Sequence, residues 1–551
     1  MYWVGLIVLI SGVGLFWLSF ARADGSDRFA KTDVNNRLQL TIETAEKATW
    51  PWGGDLIIPV EVDDESGDER ARGLRPSVET PANAVLIQVK PPADMPPDVT
   101  VRITHEAPRN AVTVYVRDAA RWRVLAPGTS FPVDEPRSLA VKATRFAGLD
   151  WDGRLTLTAT MVSIDGETES ATIAMRVAPF VLASSTQHAK QVFIRAYPGR
   201  NDAMVDDLKR IAAEAGVAIH IIPGNAPYPA HHIWLQDAVE FGHAWTGRPD
   251  AAQVALPSNR NRDIDRFAVS RLVGKGVGVI QVGEYRHEFA AGEGGVSWID
   301  WYGNLEATPP TPKHPFGTAI YGNDPATGAQ LNPDVVAFLD AQQAQPTLGL
   351  DVGWLQIKHI DELVGFLPAN DPAWPYRIVV PDTTVALDLL EQLVADGHGQ
   401  APMLSTYEEG ITAESLLADN DFVRHNRKLQ SDRINPAVAR LCEFLGLGQE
   451  HVVRLPALFT TSGSARMPNV VNALVINGHV VMSDPDGPDL PNEGGDAFQQ
   501  RVREILADLP VTVHFVDDQL YHRWSGNVHC ATNAIREPLE LNPDWFAAPP
   551  E

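Results

Sequence analysis

The period of the apolar residues changes near Pro179, and this change divides the chain into two parts with different architectures. From about residue 37 to residue 182, short apolar runs alternate with polar residues between turn residues; the clearest runs are 38–42, 84–89, 112–116, 155–158 and 171–177. A period of two is typical of strands that bury one face, and hardly any helical spacing interrupts it. Residues 30–180 are therefore predicted to form an antiparallel β-sandwich of immunoglobulin-like type.

The second part, residues 181–551, alternates helical and strand patterns. Residues 202–215 place apolar side chains on one helical face, and strands are expected on either side of them at 192–196 and 217–222. Further helices are predicted at 334–342, 384–396 and 498–509, near strands at 376–380, 473–476 and 511–516. No glycine-rich phosphate loop follows a strand, so this α/β domain has no obvious nucleotide-binding motif.

The length and charge of the chain limit the classes of protein to which it can belong. A chain of 551 residues exceeds what one hydrophobic core usually supports, which agrees with two or three domains. Its net charge of −25 disfavours nucleic acid as a partner, because the phosphates would be repelled. The same charge would attract arginine-rich polypeptides and divalent cations, although solubility alone also explains it.

The first 23 residues are typical of an export segment. An apolar run over residues 4–20 ends at Ala21-Arg22-Ala23, which has the small-residue spacing of a signal-peptide cleavage site. No lysine or arginine precedes the run, and its length also approaches that of a membrane-spanning helix. Residues 1–23 are therefore a signal peptide or a membrane anchor, and the protein is expected outside the cytoplasm.

The chain contains only two cysteines, and they differ in their surroundings. Cys442 falls at helical spacing with Val438, Leu441 and Leu445, so it is expected to be a buried hydrophobic residue and not a disulfide partner. Cys530 follows His529 in a polar segment and offers a soft nucleophile. On an extended backbone His529 would point away from the thiol, so another imidazole is expected to serve it.

Two other segments carry titratable groups. In one, His359 and Asp361 would project to the same side of an extended strand. In the other, Gln236, Asp237 and Glu240 place three oxygen-bearing side chains within five residues, which suits a metal site, a clamp for a cation or a polar loop. The residues alone leave these three alternatives open.

Taken together, these segments resemble a known family. Residues 234–242, 358–368 and 511–533 are similar to the aspartate, His-x-Asp and cysteine segments of the protein-arginine deiminases, and residues 302–310 resemble a calcium-binding stretch of that family. Further matches at 176–179, 455–459 and 467–472 keep the family's order. Several collinear matches are far more specific than any single one.

The resemblance implies a catalytic α/β-propeller of the pentein superfamily over residues 181–551. It implies calcium-dependent hydrolysis of peptidyl-arginine to peptidyl-citrulline and ammonia, with arginine-containing proteins as partners, no nucleic acid, and a homodimer left open. Residue by residue it implies Cys530 as nucleophile, His359 as general acid and base, Asp237 and Asp361 as guanidinium ligands, Arg262 on the substrate's carbonyls, and Trp234 along the arginine stem.

The resemblance also implies a Ca²⁺ site of oxygen donors, made by the side chains of Gln236, Glu240 and Glu306 and by the carbonyls of Tyr302 and Leu305. A second family site looks impaired, because Ala238 and Pro257 stand where acids are expected, while Ser258 and Asn261 remain. Fewer calcium ions are therefore expected in this domain. In the sandwich, Glu61, Asp63 and Glu65 form an acidic turn that is either a Ca²⁺ site or a solvated loop.

Two alternative functions remain open. One is a pentein hydrolase that acts on free arginine or another small guanidino compound, and the other is a secreted calcium-binding protein without catalysis. Arg262 and the added sandwich favour a peptidyl substrate. Trp524 and Ser525 stand where the family commonly has a basic residue, which puts the substrate's sequence preference in doubt.

Overall fold

The computed structural model describes residues 37–43, 51, 55–59, 84–93, 95, 99–119, 121–162, 166–225, 232–260, 264, 267–272, 277–283, 297–490 and 494–541. The predicted export segment 1–23, the acidic turn with Glu61, Asp63 and Glu65, and the residues Asn261 and Arg262 lie outside these ranges. Within the described ranges no helix combines the length and apolarity that crossing a bilayer requires.

The described residues of the N-terminal part form ten strands in two five-stranded sheets. The strands are β1 (Gln39–Ile42), β2 (Leu56–Ile58), β3 (Val85–Lys90), β4 (Thr100–Thr104), β5 (Val112–Asp118), β6 (Arg121–Val124), β7 (Ser130–Pro132), β8 (Arg137–Ala143), β9 (Arg154–Val162) and β10 (Thr168–Val177). Their orders are β1-β3-β8-β5-β6 and β2-β10-β9-β4-β7. Alternate side chains of both sheets, such as Ile87 and Leu157, meet in one hydrophobic cluster.

The period-two pattern thus has its physical cause in a shared core between two sheets. One pair departs from the predicted antiparallel arrangement, because β2 runs parallel to β10. The immunoglobulin-like type of the sandwich stays a prediction.

The second part contains nineteen strands within the described residues. They are β11 (Phe180–Leu182), β12 (Ala189–Arg195), β13 (Ala218–Ile222), β14 (Val239–Ala244), β15 (Ala252–Pro257), β16 (Val277–Val279), β17 (Leu305–Ala307), β18 (Ala319–Asp324), β19 (Ala329–Gln330), β20 (Thr347–Asp351), β21 (Gly365–Pro368), β22 (Tyr376–Asp382), β23 (Val452–Pro456), β24 (Leu474–Ile476), β25 (His479–Ser483), β26 (Asp489–Leu490), β27 (Gly495–Asp496), β28 (Thr512–Val516) and β29 (Thr532–Arg536).

These strands form five small mixed sheets and one hairpin, β26-β27. The sheets are β11-β14-β15-β16, β13-β12-β29, β17-β18-β19 with β20 on β18, β21-β22-β23, and β24-β25-β28. Each of the five contains one parallel pair beside its antiparallel pairs. A structural repeat is therefore present that the sequence does not display.

The helices of this part are α1 (Asp202–Glu214), α2 (Phe267–Arg271), α3 (Pro333–Ala341), α4 (Thr383–Ala395), α5 (Ala413–Ala418), α6 (Asn420–Leu429), α7 (Asn435–Leu445), α8 (Ala497–Ile505), α9 (Gln519–His522) and α10 (Val528–Ala531). The predicted helices correspond to α1, α3, α4, α7 and α8, each displaced by a few residues at most. Helix α7 ends at Gly446, whose φ of 75° suits glycine at a helix C-terminus. Cys442 is buried in α7 and is a free thiol.

Three short segments come together because the last strand returns to the start of the domain. Strand β29 pairs antiparallel with β12, so α10, which directly precedes β29, lies beside the turn at Gln236–Ala238. That 3₁₀ turn contacts a second one at Tyr302–Asn304, which contacts a third at Ile360–Glu362. The predicted His-x-Asp strand is therefore wrong: Asp361 lies in a 3₁₀ turn and His359 caps its start.

Candidate active site

Cys530 lies on a buried helical turn beside a carboxylate. Its Sγ is 3.3 Å from Asp361 Oδ2, and the side-chain amide of Asn472 donates to the same sulfur at 3.2 Å. Burial raises the pKa of the Cys530 thiol well above its usual range, and the negative charges of Asp361 and Asp237 raise it further. The thiol is therefore held in its neutral form while the site contains no added positive charge.

Asn472 fixes the helical turn that carries the thiol, a role that the sequence analysis missed. Its Oδ1 accepts the backbone N–H of Cys530 at 3.2 Å, and its own carbonyl accepts the N–H of His529 at 3.1 Å. Its amide also lies 3.4 Å from the carbonyl of Asp361. The similarity at residues 467–472 was the only sequence signal for this position.

His359 faces a different carboxylate from the one that contacts Cys530. Its Nδ1 lies 3.6 Å from Asp237 Oδ1, and its Nε2 lies 2.8 Å from the carbonyl of Trp298. The carbonyl can only accept, so Nε2 carries the hydrogen and Nδ1 faces the acid. A 3₁₀ turn replaces the expected strand, so the two side chains contact different groups: His359 faces Asp237, and Asp361 contacts Cys530.

Gly303 makes room for this His–Asp pair. A Cβ at this position would lie 2.4 Å from His359 Nδ1 and 3.0 Å from Asp237 Oδ1. Both distances are below ordinary contact, so no larger residue fits without displacing the pair. The sequence analysis did not select this glycine, because no motif singled it out.

Arg260 places an internal guanidinium near Asp237. Its Nη1 lies 3.6 Å from Asp237 Oδ2, and its guanidinium carbon lies 4.6 Å from the centre of the Trp301 ring. The side chain is 1% exposed. The sequence analysis selected Arg262 from this stretch, which lies outside the described residues, and missed Arg260.

An open cavity of about 360 Å³ reaches Cys530. Among its lining residues are Glu362, Asn472, Gly526 and Asn527. Trp234 packs against Gly526, where a Cβ would lie 2.3 Å from the indole, and against the Tyr521 ring at 5.6 Å. The structure therefore places Trp234 beside a wall of the cavity that leads to the thiol.

A second cavity of about 380 Å³ is lined by Gln236, Glu240, Glu306, His529 and Arg536, and we name it the acidic pocket. The Gln236 amide donates to Glu240 and lies 3.5 Å from the carbonyl of Tyr302. Burial raises the pKa of Glu240 well above its usual range, with the Glu306 charge as the next cause. Burial likewise raises the pKa of Glu306 to about 7.

The donors of the acidic pocket fit a hard cation. The buried carboxylate of Glu240, the partly buried one of Glu306, an amide and a main-chain carbonyl are oxygen ligands of the kind that Ca²⁺ takes. Glu306 Oε1 accepts no well-aligned hydrogen bond from the described residues, although His529 Nε2 lies 3.3 Å away. Leu305 directly precedes Glu306 at the start of β17. A bound dication would lower the pKa of both acids, which burial now raises.

The second calcium site that the resemblance implies stays a prediction, and so does its impairment. Ala238 and Pro257 bring no side-chain oxygen, and the Ser258 N–H donates to the Ala238 carbonyl at 2.9 Å. Ser258 itself is fully buried.

His529 lines the acidic pocket and also faces Asp361, and the extended backbone considered for this segment in the sequence analysis is wrong. Its Nδ1 lies 3.0 Å from Asp361 Oδ2, the oxygen that also contacts Cys530. The ring does not point away from the site, because α10 is helical where an extended segment was expected. Both neighbouring side chains can then reach the same carboxylate.

A buried thiol beside Asp361 and an imidazole beside Asp237 define a candidate cysteine-based active site. The family model described as Protein-arginine deiminase (PAD) matches residues 167–546. The chain therefore belongs to the protein-arginine deiminase family.

Curated relatives agree with this assignment. Mouse protein-arginine deiminase type-1 is 28% identical over 433 residues, which cover 74% of this chain and 62% of that protein. Human type-3 is 28% identical over 75% of this chain and 63% of its own length. Human type-4 is 26% identical over 77% of this chain and 64% of its own length. The chain thus spans slightly less than two thirds of the length of these relatives.

Solved structures with detectable likeness include an agmatine deiminase from C. jejuni, at a TM-score of 0.38 and 10% identity over 65% of this chain and 97% of that one. A structure titled as a putative arginine deiminase from Porphyromonas gingivalis has a TM-score of 0.38 and 15% identity, and the match covers 65% of this chain and 98% of that one. At these values the likeness adds nothing to the family assignment.

Proposed function

We propose that this protein hydrolyses the guanidinium group of peptidyl-arginine to give peptidyl-citrulline and ammonia. One observation carries the proposal: the Cys530 sulfur lies 3.3 Å from the Asp361 carboxylate, and Cys530 also lines a cavity. A soft nucleophile beside a cation-binding acid suits attack on the central carbon of a guanidinium.

Substrate binding would rest on the two aspartates. A guanidinium presents its N–H donors in a rigid fork, and a carboxylate accepts two of them side by side. Asp361 would hold the end near Cys530, and Asp237 the end near His359. Because both ends are held, the central guanidinium carbon is positioned for attack by Cys530. This positioning replaces a bimolecular encounter.

The covalent sequence has two halves. In the first, the Cys530 thiol gives its proton to His359 as the sulfur forms a C–S bond with the guanidinium carbon. The C–N bond of the tetrahedral adduct then breaks as His359 passes that proton to the departing nitrogen, releasing ammonia. In the second, His359 takes a proton from water, which attacks the thiouronium carbon. The C–S bond then breaks and leaves citrulline and free Cys530.

The raised pKa of the Cys530 thiol agrees with this sequence. The charges of Asp361 and Asp237 oppose thiolate formation, and a bound guanidinium would compensate both of them. The substrate would therefore help to activate its own nucleophile.

We further propose that activity depends on Ca²⁺ in the acidic pocket. Gln236, Glu240 and Glu306, with the carbonyls of Tyr302 and Leu305, would hold the ion, and its charge would stabilise the buried acids. Gln236 directly precedes Asp237 in the same 3₁₀ turn, so an ordered Gln236 also orders the guanidinium ligand.

Further parts of the proposal concern substrate and location. Arg262 would bind the peptide carbonyls and Trp234 the arginine stem, which favours peptidyl over free arginine. We propose that residues 181–551 form a five-bladed propeller from the five small sheets, that residues 30–180 form an immunoglobulin-like domain, and that residues 1–23 direct export. N-terminal sequencing of the exported protein tests the last point.

A citrulline assay tests the central proposal. A blocked arginine peptide, free arginine and agmatine are compared with Ca²⁺ and with excess EGTA, and Cys530→Ala is the inactive control. Citrulline formation from the peptide alone, lost in Cys530→Ala, supports the proposal. Preference for a free guanidino compound favours the small-molecule alternative, and Ca²⁺ binding without any turnover favours a catalytically silent protein.

A further inference from the structure

His529 is a partly buried histidine to which the proposed reaction assigns no role. Its Nδ1 lies 3.0 Å from Asp361 Oδ2, and its Nε2 lies 3.3 Å from Glu306 Oε1. Each ring nitrogen therefore faces a carboxylate, and His529 lines one cavity together with both of these acids. Asp361 is at the thiol, and Glu306 lines the acidic pocket.

The Asp361 end of this contact reaches the reacting atoms. Asp361 Oδ2 is shared by His529 Nδ1 and by the Cys530 thiol, while Asp361 Oδ1 accepts no hydrogen bond from the described residues. The orientation of this carboxylate is thus set mainly by His529 and by the thiol. A change at His529 would alter the geometry that a guanidinium meets.

The Glu306 end reaches the donors that fit a cation. A cation bound there competes for the carboxylate that His529 Nε2 now faces. The ring itself has little freedom, because the His529 N–H is held by the Asn472 carbonyl, and the neighbouring Cys530 N–H by the Asn472 side chain.

We propose that His529 is a positioning residue that links the acidic pocket to Asp361, so that cation occupancy and guanidinium affinity change together. This inference rests on the proposed function, since it assumes a cation at Glu306 and a guanidinium at Asp361. By linkage, each ligand then changes the affinity for the other by the same factor. A purely structural histidine would lower affinities without changing that factor.

The test measures this coupling factor without turnover. In the full chain carrying Cys530→Ala, calorimetry gives the Kd of a blocked arginine amide without and with saturating CaCl₂, and the Kd of Ca²⁺ without and with the amide. We expect Ca²⁺ to change the Kd of the amide by the same factor by which the amide changes the Kd of Ca²⁺, and this factor should be about tenfold.

Two substitutions at His529 each keep one of its two ring-nitrogen contacts and remove the other. An asparagine amide can reproduce the Nδ1 donor toward Asp361, and a glutamine amide the Nε2 donor toward Glu306. His529→Asn and His529→Gln are each expected to reduce the coupling factor below about threefold, while both retain cooperative thermal unfolding. Since they alter opposite ends, the inference remains testable if one variant does not fold.

His479→Gln is the matched control, because His479 also bonds through Nδ1 to a neighbouring side chain, His514, at 2.9 Å. It should keep the full coupling factor. An unchanged factor in either folded His529 variant, or no coupling in the Cys530→Ala reference, overturns the inference and leaves the proposed function standing. A reference protein that binds no arginine amide would instead overturn the proposed function.

Discussion

Replacing Gly303 by alanine is expected to impair the reaction through a displacement of about 1 Å. The new Cβ would lie 2.4 Å from His359 Nδ1, whereas ordinary contact begins near about 3.5 Å. The imidazole or the turn at Tyr302–Asn304 must therefore move by about 1 Å. A misplacement of that size can cost about 100-fold in rate, equivalent to about 2.7 kcal/mol of transition-state stabilisation.

The assay is kcat/KM for citrulline formation from a blocked arginine peptide at saturating Ca²⁺. Gly365→Ala is the control, because the nearest atom to its new Cβ lies 3.4 Å away, and it should change kcat/KM by less than about threefold. The Ca²⁺ concentration for half-maximal activity is measured as well, since Tyr302 adjoins Gly303. Activity of Gly303→Ala within threefold of the unaltered protein would refute the assignment of this pair to catalysis.

Three further predictions follow from the buried acids. Asp361→Asn removes the negative charge nearest Cys530, so iodoacetamide should label Cys530 faster at pH 8 while citrulline formation is lost; slower labelling would contradict this. Glu306→Gln should raise the Ca²⁺ concentration for half-maximal activity at least tenfold, which corresponds to about 1.4 kcal/mol of binding free energy. Full activity of the unaltered protein in excess EGTA would remove calcium from the proposal. Burial raises the pKa of Asp518 to about 7, so between about pH 4 and pH 7 the unfolded chain binds fewer protons and stability falls as pH rises. Asp518→Asn should remove this slope and raise the free energy of unfolding at pH 8 by roughly 4 kcal/mol, measured by urea denaturation at pH 5 and pH 8; an unchanged slope would exclude Asp518 as its source.

The local patterns of the chain predicted its elements well where burial is one-sided. Helix α1 and strand β9 carry their apolar residues with a clear period, because each buries one face against a core. The helices α5 and α6 were missed. Helix α6 is mostly polar, with Phe422, Asn426 and Leu429 as its buried residues, so its pattern gives a weak signal.

Short turns were the main source of error at the site. The segments with His359 and Cys530 were interpreted as extended, and both are helical turns that begin just before or just after these residues. A turn of three or four residues has no period to detect, and its side-chain directions follow from the neighbours that hold it. Asn472, more than fifty residues from Cys530, is such a neighbour.

By itself, the sequence determined the two-part architecture, the family and the chemical identity of the groups at the site. These follow from local periodicity and from residue types in a collinear order. Only the tertiary structure decided which acid faces the thiol, that Arg260 lies near Asp237, and that His529 lies between Asp361 and Glu306. Such pairings join residues that are far apart along the chain, and they depend on how β29 closes against β12 and on which side chains the core leaves room for, so no local pattern specifies them.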